Sequence, residues 1–107
     1  MHVTVSSQDA EVAQRVQAAL HPLCDLLARR QDQADCVLQV TSGVVIARFW
    51  AKDGTSAQVA VGVRALAAAI ASGRDTLAKY ADQLCTWAKR KQDTARNTRG
   101  MGLWLPA

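Results

Sequence analysis

Acid–base chemistry has little to work with in this chain. It holds one glutamate, Glu11, at a helix start where its charge suits the macrodipole. The two histidines, His2 and His21, have no partner visible in sequence. No Gx4GK[ST], GxSxG, HExxH or GxGxxG run is present, so phosphate cradles and the familiar nucleophile and zinc motifs are absent. The expectation is a protein that is not an enzyme and uses no cofactor. No apolar run approaches the roughly 18 residues that span a bilayer, so no membrane partner is expected. The opening MHVTVSSQD lacks the basic and apolar regions of a secretory signal. Three cysteines, an odd number without CxxC, argue against a disulfide framework and fit a reducing, cytoplasmic setting. His21 and Cys24, three apart on a helix, form a metal-like pair only with Cys36 or Cys85. Nothing in the spacing brings these together, and all three cysteines sit beside core-patterned residues. No metal is expected.

What is present suits one small domain. The 107 residues are half apolar, much of that alanine. The net charge of +4 is uneven, because the second half holds most of the lysine and arginine. Lys89, Arg90, Lys91, Arg96 and Arg99 stand against Asp93 alone in that stretch. This basic end is the most function-like feature of the composition.

Residues 36–61 read as three β-rich runs, CVLQV, VVIARFWAK and TSAQVAV, separated by Thr41-Ser42-Gly43 and Asp53-Gly54. Asp-Gly between alternating runs predicts a two-residue type I′ hairpin, which needs positive φ at both positions. That register opposes Trp50 to Ala57 and gives a core face of Val44, Ile46, Arg48, Trp50, Ala57, Val59 and Val61. A three-residue loop at Thr41–Gly43 then places Cys36, Leu38 and Val40 on the same face. Arg48 on that face needs an acid partner, a rim position or a ligand, since a buried unpaired guanidinium is costly, and an edge arginine paired with an aspartate is the expected reading. Trp50 reads as core rather than as a stacking platform.

Elsewhere the chain reads as helix. His2 to Val5 alternates like a short added strand. Ser6 with Asp9 three residues on reads as an N-cap. Val12, Val16, Ala19, Leu20, Leu23 and Leu27 form a helical stripe, with Pro22 predicting a kink or restart. Leu66, Ile70, Leu77, Tyr80, Leu84 and Trp87 continue in four-three steps. One helix from Arg64 to Thr94 would be about 45 Å long, so Ser72-Gly73-Arg74-Asp75 is expected to break it. The rival is a single helix pairing with a second copy along that seam.

The element order helix, three strands, helix over roughly Ser7 to Arg90 resembles that of double-stranded-RNA-binding domains. The strand–helix–three-strand order is similar to that of small ribosome-dependent RNA-cutting toxins. Both resemblances are of order alone. The first family carries a lysine-rich start on its last helix, where this chain has Val63-Arg64-Ala65-Leu66-Ala67; for the second, only Arg48 suits the cutting surface.

The expected architecture is therefore α+β, order (β)-α-β-β-β-α-α. It comprises a three-stranded antiparallel sheet, with a fourth strand if the N-terminus joins, under two or three helices. Residues 1–96 form the domain and 97–107 a tail with an apolar end. The expected function is a small protein-binding module, of the kind a phage or mobile element uses as inhibitor or adaptor. It would self-associate as a homodimer through Leu77, Leu84, Trp87, Met101, Leu103, Trp104 and Leu105. The alternative is DNA or RNA binding by Lys89, Arg90, Lys91, Arg96 and Arg99.

Overall fold

A computed structural model describes residues 1–7 and 9–102, with the side chains at 10, 12, 13 and 99–102 outside the description. The elements are β1 (His2–Ser7), α1 (Ala10–Ala28), β2 (Asp35–Thr41), β3 (Val44–Trp50), β4 (Ser56–Gly62), α2 (Val63–Ala71) and α3 (Arg74–Gly102). The strands form one sheet in the order β1-β2-β3-β4. The N-terminal strand does join, but parallel to β2, so the sheet is mixed rather than antiparallel throughout. α1 supplies the crossover that a parallel connection requires.

Both hairpin loops differ from the sequence reading, in opposite senses. Thr41 pairs with Val44, so the first loop is the two-residue Ser42-Gly43 turn. At the second, Gly54 N donates to Ala51 O and Ala51 N donates to Thr55 O. Those bonds define a three-residue loop, Lys52-Asp53-Gly54, with Gly54 at φ +86. No described non-glycine residue has positive φ, so Asp53 cannot take its place in a type I′ turn. Its carboxylate instead accepts from Thr55 N at 3.0 Å, and Gly54 supplies the left-handed bulge residue.

That one-residue difference turns β3 over. Phe49, not Trp50, lies opposite Ala57, and Ala47 lies opposite Val59. The core face of β3 is Val45, Ala47 and Phe49, with Phe49 fully buried. Cys36 and Leu38 stand opposite Phe49 and Ala47 and are buried with them. The expected core set Val44, Ile46, Arg48 and Trp50 faces the other way. The physical reason is parity: once Ala57, Val59 and Val61 face the core, the loop length decides which side of β3 joins them. The chosen side buries a phenylalanine and leaves Arg48 in solvent.

α1 and α3 cover this one face of the sheet, α1 over β1 and α3 over β4, with α2 wedged between β4 and α3. The cap of α1 is Asp9, whose side chain accepts from Glu11 N, and not Ser6, which belongs to β1. The helix runs through Pro22 as one segment and buries Leu20, Leu23 and Leu27. The expected break falls at Ser72-Gly73. Ser72 N donates to Ala68 O, Gly73 takes φ +105, and Leu77 N then donates to Gly73 O to start α3. Glycine meets no left-handed penalty at such a terminus. α3 is still 29 residues, about 43 Å, and sets the 51 Å long axis of the molecule.

Candidate interaction surface

The stripe that α3 turns inward is Leu77, Ala81, Leu84, Cys85, Ala88 and Gln92. Leu77 and Leu84 are only 2% and 1% exposed, so they belong to the domain's own core and not to a pairing surface. The small residues between them let the helix sit close to the sheet, a role the four-three seam did not reveal. Trp87 falls off this stripe and is 37% exposed. Of the remaining expected partner residues, the Met101 side chain, Leu103, Trp104 and Leu105 lie outside the described part of the chain.

The basic end is largely tied to the domain itself. Lys89 Nζ lies 3.8 Å from the Asp32 carboxylate, and Lys91 Nζ donates to Gln58 O at 2.6 Å. Arg96 forks onto Asp53 at 2.8 and 3.1 Å and reaches Asp93 at 2.9 Å. The Arg96 fork, with help from Thr55, holds the Asp53 carboxyl well below the usual carboxylate range. Arg90 is exposed, and the Arg99 side chain is outside the description. Arg30, two residues past α1, ties the loop before β2 to α3. Its fork takes Asp32 at 3.1 Å through both Nε and Nη2, and Nη1 donates to Asp82.

The cysteines are withdrawn from chemistry. Burial pushes the Cys36 thiol up to about 12 and that of Cys85 to about 11, and raises Cys24 as well. A thiol held protonated is neither a ready nucleophile nor a ready metal ligand. Among the described residues, no group of three or more His, Cys, Asp or Glu side chains is placed to hold a metal ion. No described helix is long and apolar enough to cross a membrane.

Among the described residues no helix lies on the far side of the sheet. Val37, Ile46 and Trp50 are half-buried there, and exposed Arg48 stands across from Val37 and between Ile46 and Trp50 along β3, with Thr4, Gln39 and Gln58 exposed around them. Arg48 lies over the Trp50 ring at 5.9 Å, a cation–π distance. Gln58 stands across from it in the ladder, and with its amide turned the Gln58 oxygen accepts from Arg48 Nε at 2.9 Å. These two neighbours replace the aspartate expected for Arg48. A cleft of about 480 Å³ opens beside Trp50 at the end of the sheet, walled by Thr4, Asp35, Val37 and Lys52. Of this face only the β3 residues Val44, Ile46, Arg48 and Trp50 are expected in the core from sequence; the signal against that is Arg48, a charge that burial would not tolerate. No family model matches the chain, and neither the curated proteins nor the solved structures contain a match to it.

Proposed function

We propose that this chain is a non-enzymatic protein-binding module that pairs with a second copy of itself through the bare face of its sheet. One observation supports the reading: among the described residues one face of the four-stranded sheet carries no helix, and Val37, Ile46 and Trp50 are half-buried on it around Arg48. An aromatic beside an arginine is a usual anchor of a protein interface. Nucleic-acid binding by the basic end gains nothing comparable, since Lys89, Lys91 and Arg96 already have partners within the domain.

Light-scattering mass after size exclusion tests the proposal. The wild-type chain is expected to be dimeric at tens of micromolar and Ile46→Asp monomeric, with unchanged circular dichroism, because Ile46 is outside the core. A monomeric wild type overturns self-association. A dimer indifferent to Ile46→Asp and Trp50→Ser overturns the assignment of the surface.

A further inference from the structure

The two edges of the sheet are treated differently. On β4 the Gln58 carbonyl is held by Lys91, a lysine placed where an intruding strand would pair. On β1, His2 N donates to Ala34 O, so His2, Thr4 and Ser6 turn their backbone groups toward β2. By strand alternation Val3 and Val5 turn theirs outward, where no described strand pairs with them. The run HVTVSS holds no lysine, aspartate, glutamate or proline, the usual guards of an edge. Open space lies beside it, a groove of about 320 Å³ between β1 and the Gln17, His21 and Cys24 side of α1.

We infer that the β1 edge pairs with the β1 edge of a second copy, antiparallel about a two-fold axis at Thr4, so that two four-stranded sheets become one. This contact adds to the bare-face contact proposed above and is tested apart from it. Alternation supplies the register. Only outward-turned residues can exchange bonds, and an axis at Thr4 sets Val3 against the partner's Val5. Each such pair exchanges both of its N–H···O bonds, and the axis repeats the pair. Valine then meets valine on the α1 side, where Val3 and Val5 are half-buried and the groove lies open. On the other side Thr4 stands opposite the partner's Thr4, a favourable cross-strand pair. Moving the axis to Val5 would set Val3 against the partner's Ser7 and lose the apolar match.

Charge and area favour a second copy as the occupant. Self-pairing sets groups near the axis against their own images, so fixed like charges would forbid it. None of the residues lining the groove is a lysine, arginine, aspartate or glutamate. Four strands of about seven residues give a bare face of roughly 450 Å², short of the roughly 800 Å² per partner of a stable interface. Joining two copies at β1 lays their bare faces side by side on one side of the sheet, roughly 900 Å² together. The new axis is normal to the sheet, at right angles to any two-fold that stacks bare face on bare face. Both contacts therefore fit one closed tetramer. The edge contact is narrow, so its expected Kd is about 0.1–1 mM, above the concentration at which the bare-face dimer forms.

Ile46→Asp, on the bare face and away from β1, isolates the edge contact in the full chain. Sedimentation equilibrium of that protein from about 20 μM to about 1 mM should show monomer passing to dimer. Adding Val5→Pro removes an outward N–H and no bond to β2, and should weaken this dimer about tenfold or more. Adding Thr4→Lys at an exposed position sets like charges opposite each other and should weaken it several-fold, which keeps the test decisive should Val5→Pro misfold. Thr4→Cys should cross-link two copies under mild oxidation and His2→Cys should not, because position 2 faces position 6 in this register. A mass that stays monomeric, a dimer indifferent to Thr4→Lys, or no cross-link at position 4 overturns the inference. Slow amide exchange at Val3 and Val5 in the dilute monomer also overturns it, since the edge would then be filled from within the same chain. If the wild type is monomeric at tens of micromolar, bare-face pairing falls, and the same series made in the wild type still decides the edge.

Discussion

Gln33 and Gln92 bond to each other twice, each amide nitrogen donating to the other's oxygen at 2.9 and 2.8 Å, with both side chains almost fully buried. The Gln92 nitrogen also reaches the Thr55 and Phe49 carbonyls. One helical side chain thus fastens α3 to the loop before β2 and to the β3–β4 hairpin. Gln92→Leu leaves the Gln33 amide buried without its partner, and should lower stability by about 1–3 kcal/mol. Gln33→Leu/Gln92→Leu should recover part of that loss. Urea unfolding of the two singles and the double checks this, and strict additivity would contradict the coupling.

The orientation of β3 separates two adjacent aromatics. Phe49→Ala opens a cavity in the core and should cost about 3–5 kcal/mol. Trp50→Ala should cost nearer 1 kcal/mol, chiefly its contact with Arg48. Equal losses in thermal or urea unfolding would argue for the opposite face.

Asp32 sets an acid limit. Burial alone would raise its carboxyl, but the Arg30 fork, the backbone and Lys89 more than offset this and hold it below its ordinary 3.8. Its folded value is the depressed one. Its contribution is therefore complete above the unfolded value and lost as pH falls from about 4 through the lower native value. Asp32→Asn should be less stable at neutral pH and show a shallower loss on acidification. Parallel acid-unfolding slopes for the two proteins would refute the role.

The basic end can be checked by salt. Lys89→Ala/Arg90→Ala should leave the salt dependence of any residual duplex-DNA binding unaltered. A fall in the log–log slope of about 1.8, 0.9 for each of two phosphate contacts, would return the cluster to nucleic acid.

Most of the fold was legible. The pairing of the first strand stays open to sequence, but the element order α-β-β-β-α-α, a strand-like run at the N-terminus and the break at Ser72-Gly73 follow from local patterning. The face of β3 did not. VVIARFW is apolar on both sides, so its alternation cannot choose, and the choice falls to loop length. Asp53-Gly54 serves a two-residue or a three-residue loop equally well, since both place Gly54 at positive φ. The Gln33–Gln92 pair was beyond reach for another reason: two lone glutamines become a clamp only when helix and loop are packed. Reading β3 on its other face places Trp50 inside, while Leu77 and Leu84 go astray separately, because a four-three seam does not say whether it meets its own sheet or a second copy.

The parallel pairing of β1 has a kinetic meaning. Positions 41 and 44, or 50 and 56, are neighbours along the chain and zip locally, whereas 2 must find 35 across the whole of α1. On a ribosome the strand made before the others is thus the last to be placed. At about 5–20 residues per second, β2 waits seconds as an uncovered edge while the rest of the sheet is synthesised. In a crowded cell the nascent protein's hazard is concentrated in that interval, and the rate of synthesis sets how long it lasts.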